Sequence, residues 1–142
     1  MIDKFDGEYR FLSNFYPAPV VFEGVEYPCV ENAYQAAKTT DVELRKQFEG
    51  CTPGKAKKLG RSLPIRDDWH KVRVWIMADL VTQKFTGHKD LGDMLLATEN
   101  HELVEGNYWG DTFWGISNNE GLNMLGHILM GTREGIRIGK DD

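Results

Sequence analysis

Pro28-Cys-Val-Glu-Asn-Ala-Tyr-Gln-Ala-Ala-Lys-Thr-Thr40 is the stretch on which the fold turns. At 3.6 residues per turn, Glu31, Tyr34, Gln35 and Lys38 fall at i, i+3, i+4 and i+7 and form one stripe. Ala33, Ala36 and Ala37 lie on the other side. The spacing predicts a helix over 28–40 whose alanine face lets a neighbouring element pack close. The opposite stripe carries a carboxylate, a phenol, an amide and an amine. A solvated helix face would carry interchangeable Lys and Glu there, above larger apolar residues on the inner face. The stripe is therefore either a plain polar surface or the wall of a site.

The chain before this helix is aromatic and β-rich. Residues 20–22 and 25–27 flank Glu23-Gly24, a two-residue connection in which Gly admits positive φ, so a short hairpin is expected. Further upstream, Ser13 and Asn14 sit between Phe11 and Phe15. They suggest either a turn presenting polar groups at the edge of an apolar wall or a plain side-chain-capped turn.

Downstream, Asp41 is an N-cap for a helix over 42–48, and Gly50 ends it. Thr52-Pro53 supplies a cap and an N1 proline for a helix over 53–59, around which Lys55, Lys57, Lys58 and Arg61 cluster. That cluster is either a solvated basic face or a place for a phosphate. Residues 69–86 form the longest expected helix. Apolar residues on two of its sides point to burial at the centre of the core. Helices over 89–98 and 122–131 follow, and the tail to Asp142 is expected to fray. The sum is an α+β, mainly α-helical chain. It reads as a single domain over 1–142 with about six helices and a small N-terminal β-hairpin.

One stretch has no period. Residues 106–119 hold four aromatics and three glycines among polar residues, and are read as a long irregular loop that folds onto the core or lines a site. Trp109-Gly110-Asp111 offers a flat apolar face, close backbone approach and a second carboxylate. Trp114 is read as an anchor to the core.

Composition narrows the function. The 142 residues are 41% hydrophobic and 27% charged, enough for one core in a soluble globular protein. A net charge of −5 disfavours broad nucleic-acid backbone binding, and any such affinity should depend strongly on salt. No secretory leader pattern or membrane-length apolar run appears, so no membrane partner is expected. Cys29 and Cys51 read as free thiols of a reducing compartment, and a cytoplasmic protein is expected. The four histidines show no ligand spacing, so neither metal nor cofactor is expected.

Two carboxylates, a lysine, a Trp-bearing loop and a nearby basic helix form a coherent chemical set. A glycosidic C–N bond to a planar base breaks through an oxocarbenium-like sugar. A carboxylate stabilises that cation or activates water, and a proton donor helps the leaving nitrogen. A lysine either pairs with the carboxylate or attacks the ring-opened sugar as a Schiff-base nucleophile.

An ordered set of motifs spans nearly the whole chain: Phe11-Leu-Ser-Asn-Phe15, Pro28-x-x-Glu31-x-x-Tyr34-Gln35-Ala36-x-Lys38, Gly60-Arg61, Trp69-x-x-Val72, Leu95-Leu-Ala-Thr98, Tyr108-Trp-Gly110 and Asn123-x-Leu-Gly126. In order and spacing it resembles the NADAR, or YbiA-like, family. The resemblance implies an N-glycosidase. Members act on phosphorylated riboflavin-biosynthesis intermediates, releasing ribose 5-phosphate, or remove ADP-ribose from guanine bases in nucleic acid. Removal of ADP-ribose is the leading expectation, since no fused biosynthetic module is present. The riboflavin-intermediate hydrolase is the second, and a non-catalytic ADP-ribose-binding module the third. By position, Glu31 is implied as the catalytic carboxylate and Lys38 as its partner or the covalent nucleophile. Trp109 and Asp111 would hold base and ribose, Asn14 and Tyr34 would position the sugar, Arg61 would meet phosphate, and Gln35 and Gly110 are implied as further substrate-binding residues. The implied partners are an ADP-ribose or ribosyl-phosphate substrate and ADP-ribosylated DNA or RNA. The resemblance is weakest after Trp109, where the segment 111–119 varies among relatives, and substrate choice is expected to be set there.

Overall fold

The computed structural model describes residues 1–141. The chain is α+β and mainly helical, and it divides into two compact units. One is Asn14–Lys84. The other joins Met1–Ser13 to the chain from Phe85 onward.

In the unit over 14–84, strands β1 (Val20–Phe22) and β2 (Val25–Tyr27) pair antiparallel, with Val20 opposite Tyr27 and Phe22 opposite Val25. Glu23 and Gly24 both take positive φ, at 47° and 82°. Such a turn matches the twist of the strands it joins. The edge of β1 is closed by a side chain. The Gln83 amide accepts from Val21 N at 2.8 Å and donates to Val21 O at 2.7 Å, satisfying a peptide unit that a bare edge would leave open. Helices α1 (Val30–Ala36), α2 (Val42–Arg45), α3 (Pro53–Gly60) and α4 (Trp69–Thr86) follow, with a 3-10 turn Lys46–Phe48 extending α2.

Local chemistry sets these boundaries. Asp41 Oδ1 caps α2 by accepting from Glu43 N and Leu44 N, and Thr52 Oγ1 caps α3 by accepting from Lys55 N. Asn32, fully buried, donates from Nδ2 to Phe48 O and Cys51 O and so ties α1 to the turn between α2 and α3.

Three expectations are corrected here. The helix over 28–40 is shorter, Val30–Ala36, and every one of its residues is buried. Its polar stripe is therefore an interior face, and the solvated reading fails. Helix α4 is not central on two sides. Trp69, Met77, Leu80, Val81 and Lys84 are buried, whereas Trp75 is 77% exposed.

In the other unit, Gly7–Leu12 is a 3-10 turn that the sequence analysis leaves unassigned, and Phe11 packs edge-on against Phe85 at 6.5 Å. Helix α5 (Lys89–Leu96) and helix α6 (Met124–Asp141) flank the loop region. Residues 106–119 are not wholly irregular: β3 (Gly106–Asn107) pairs parallel with β4 (Ile116–Ser117). The tail does not fray over the described residues, since α6 continues to Asp141. Asp142 lies outside them. Arg133 of α6 is buried and donates from Nη1 to Thr98 Oγ1 and His101 O, both at 2.9 Å, which holds α6 to the end of α5.

Candidate active site

The carboxylate of Glu31 is buried in the first turn of α1, at 7% exposure. Its backbone N donates to Asn14 O at 3.1 Å, so the Ser13-Asn14 turn is held against the start of the helix. The Asn14 amide packs on α4, with Nδ2 3.5 Å from Met77 Sδ. One turn on, Gln35 donates from Nε2 to Glu31 Oε1 at 2.9 Å. That bond uses the i, i+4 spacing of the stripe and fixes one carboxylate oxygen.

Gln35 is buried by α3. A Cβ at Gly60 would overlap Gln35 Oε1 and lie 2.8 Å from its Cδ, so only glycine lets the two helices meet here. Gln35 Oε1 has no hydrogen-bond partner among the described residues. A buried amide oxygen left this way loses its water without replacement. Tyr34 stacks obliquely on buried Trp69, ring centroids 5.1 Å apart.

Lys38 follows the helix, with its Nζ 6.0 Å from the Tyr34 ring centroid. Burial pushes the Lys38 ammonium below its ordinary value. Glu31 opposes that shift, while Arg61 and Lys57 reinforce it. Arg61 is exposed at the C-terminal end of α3. The Lys38 amine thus feels one buried carboxylate and two further cations, Lys57 of α3 and Arg61 at its cap. Such a cluster favours an anion and keeps an amine closer to neutrality than a surface lysine would be.

Trp109, Gly110 and Asp111 belong to the other unit. Asp111 Oδ1 accepts from Phe113 N and Trp114 N, at 3.1 and 2.9 Å, so this carboxylate caps its own turn. Asn107 braces the same turn by accepting from Asp111 N and donating to Asp111 O. Gly110 takes φ 87° and donates to Ser117 Oγ. The bracing leaves Trp109 52% exposed beside Tyr108, ring centroids 5.1 Å apart and edge to face. Trp114 is half-buried, and its carbonyl accepts from Leu125 N at the start of α6.

Comparison with known proteins shows the family. The family model of the NADAR domain matches residues 2–137. The chain belongs to the NADAR family. It is 35% identical over 140 residues to the N-glycosidase YbiA of Escherichia coli, covering 94% of this chain and 85% of that protein. An N-glycosidase of Nostoc punctiforme is 38% identical over 136 residues, covering 91% and 86%. A riboflavin biosynthesis protein of Vibrio vulnificus is 38% identical over 133 residues, but the match spans only 36% of its length. The NMR structure of the E. coli YbiA protein superposes with a TM-score of 0.86 at 33% identity, covering all of this chain and 90% of that one. N-glycosidase activity, the hydrolysis of N-glycosyl bonds, is thus a property of this family.

This NADAR chain also carries a buried amine that the sequence analysis does not single out. Lys84 of α4 is 1% exposed, and its Nζ lies 5.7 Å from the Tyr16 ring centroid. Burial lowers its pKa to about 7, and Cys29 opposes the shift. Cys29 is itself raised by burial and feels Glu31 and Lys84 with opposite signs. The signal was legible: Leu80, Val81, Lys84 and Phe85 occupy one helical face, so the lysine interrupts an apolar stripe. Asn32 was missed because a buried asparagine bonded to distant carbonyls has no local pattern.

Proposed function

We propose that this chain hydrolyses the C1–N bond between a phosphorylated ribose and a planar base. The observation that carries this reading is the buried Glu31 carboxylate of α1, with Lys38 just beyond the end of that helix and Arg61 capping α3. Glu31 stabilises the oxocarbenium-like sugar or activates the attacking water. Gln35 holds one of its oxygens still, so the other keeps a fixed direction. Lys38 serves as the charge partner of Glu31 or as the amine that takes up C1 of the opened sugar. Arg61 and Lys57 hold phosphate. Asn14 and Tyr34 line the sugar. Trp109, Gly110 and Asp111 lie in the other unit, where Asp111 caps the turn that carries Trp109.

Two substrates meet these requirements. One is ADP-ribosylated guanine in nucleic acid, to which the sequence resemblance first points. The other is a ribosylaminopyrimidine phosphate, which the name of the Vibrio relative favours. Both are tested in parallel with wild type and Glu31→Gln. Free ADP-ribose from an oligonucleotide carrying ADP-ribosylated guanine supports the first. Ribose 5-phosphate from the pyrimidine alone supports the second. Glu31→Gln should abolish turnover while leaving ligand affinity within about tenfold, or about 1.4 kcal/mol. Tight ADP-ribose binding by the wild type with neither product refutes the catalytic reading.

A further inference from the structure

A cavity of about 820 Å³ opens in the unit over 1–13 and 85–141, within the size range of small-molecule sites. The N-terminal segment forms one wall. Ile2 is buried, its N donates to Glu102 O, and its O accepts from Val104 N, both at 2.8 Å. This parallel bridge fixes Asp3 and Asp6 along the cavity. A Cβ at Gly106 would overlap Asp3 O, so the wall closes this tightly only on glycine.

Three features of the lining describe its occupant. The first is aromatic. Tyr108 is 90% exposed and Trp109 52%, on a turn that Asn107 braces through the N and O of Asp111. Ring faces held out on a rigid support attract a cation. The second is charge. Asp3, Asp6, Glu102 and Glu105 line the cavity, against Lys4 and the amino group of Met1. A concave lining with an acidic excess concentrates cations and repels phosphate. Glu105 is set firmly in it: its N donates to Asn123 Oδ1 at 3.0 Å, its O accepts from Ile116 N at 2.9 Å, and its Oε2 accepts from Asn107 Nδ2 at 3.2 Å. The carboxylates come from two separate segments, so an occupant with several cationic centres meets more of them than one with a single centre. The third is apolar. Phe5, Val104 and Ile116 belong to the same lining. Methylene groups gain from contact with such surface, and a hydrated metal ion does not.

We propose that this cavity binds a linear aliphatic polyamine, with its ammonium groups on the carboxylates and over the Trp109 ring, and its methylene chain on the apolar lining. The site is contained in one unit and shares no residue with the Glu31, Lys38 and Arg61 set. It therefore goes beyond the proposed hydrolysis.

The test is calorimetry and tryptophan fluorescence on the full chain with spermidine, putrescine and magnesium chloride at one ionic strength. Spermidine should bind saturably at one equivalent and change the emission. Putrescine, which has one ammonium group fewer, should bind about threefold or more weakly, and magnesium more weakly still. Trp109→Ala should weaken spermidine about three- to fivefold, and Trp109→Phe should restore most of that loss because it keeps an aromatic face. The paired variant Asp3→Asn, Asp6→Asn keeps side-chain shape and should weaken spermidine about fivefold or more at low salt, with a flatter dependence on salt. Equal affinity for spermidine and magnesium, or spermidine affinity unchanged in Trp109→Ala and in the paired variant, reduces the effect to diffuse counterion binding and overturns the proposal. Absence of saturable spermidine binding overturns it as well. If a variant fails to fold, the order of the three wild-type affinities decides alone. Binding is read without turnover, so loss of this site leaves the proposed hydrolysis standing, and loss of hydrolysis leaves this site standing.

Discussion

Replacing Lys84 with Met should change how stability depends on pH. The amine is 1% exposed on α4, and burial lowers its pKa from 10.5 to about 7. The folded chain releases this proton near neutrality, whereas the unfolded chain keeps it until near pH 10.5. Between those values the unfolded state binds more protons, so wild-type stability rises with pH. Integrating the difference from pH 7.0 to 8.5 gives about 1.6 kcal/mol from this single group. Lys38, also lowered by burial, adds a contribution of the same sign. Cys29, raised by burial, works the other way as pH approaches 9, so the window stops below that value. The aromatic face of Tyr16 partly compensates the charged form. In Lys84→Met the contribution of Lys84 disappears, and a linear apolar side chain fills similar space. The variant should be at least as stable as wild type at pH 7.0, and its gain on moving to pH 8.5 should be smaller by about 1.6 kcal/mol. Urea unfolding of both proteins at the two pH values measures this directly. Parallel stability–pH lines for the two proteins would refute the claim that a depressed, buried amine resides at 84.

Gly60→Ala should destabilise by about 1–3 kcal/mol, because the new methyl displaces Gln35 from Glu31. Adding Gln35→Ala should recover part of that loss in thermal unfolding, and a purely additive double variant would contradict the clash. Asn123→Ala should cost about 1–3 kcal/mol in urea unfolding. Its side chain accepts from Glu105 N and donates to Leu103 O, both at 3.0 Å, and it stands at φ 52° before α6. Borohydride added during turnover should trap a sugar adduct on Lys38, mapped by peptide mass. Intact activity in Lys38→Arg with no adduct would leave Lys38 an electrostatic role.

Much of the fold was legible because its signals are local. The hairpin follows from a glycine after Glu23 between two β-rich triplets, and its register matches. Asp41 and Thr52 announced their helices, since a cap needs only a side chain and the next three peptide groups. The stripe spacing on α1 also held, as the Gln35–Glu31 bond spans one turn. Other features depend on residues distant in sequence. No local rule states that Asn107 and Asp111 lock the Trp109 turn while β3 and β4 pair across it. Helix α6 outlasts its glycines because Arg133 ties it to Thr98 and His101.

The sequence by itself determined the helical and hairpin segments, the family, and which side chains share the face of α1. Periodicity and turn chemistry act over a few residues, so they survive without knowledge of neighbours. The tertiary structure decided what that face is. Packing of α3 through Gly60 turned a polar stripe into an interior wall. Burial among apolar side chains moved Lys84 toward neutrality. Both effects arise from removal of water, which depends on elements packed from elsewhere in the chain and cannot be read from the stretch that experiences it.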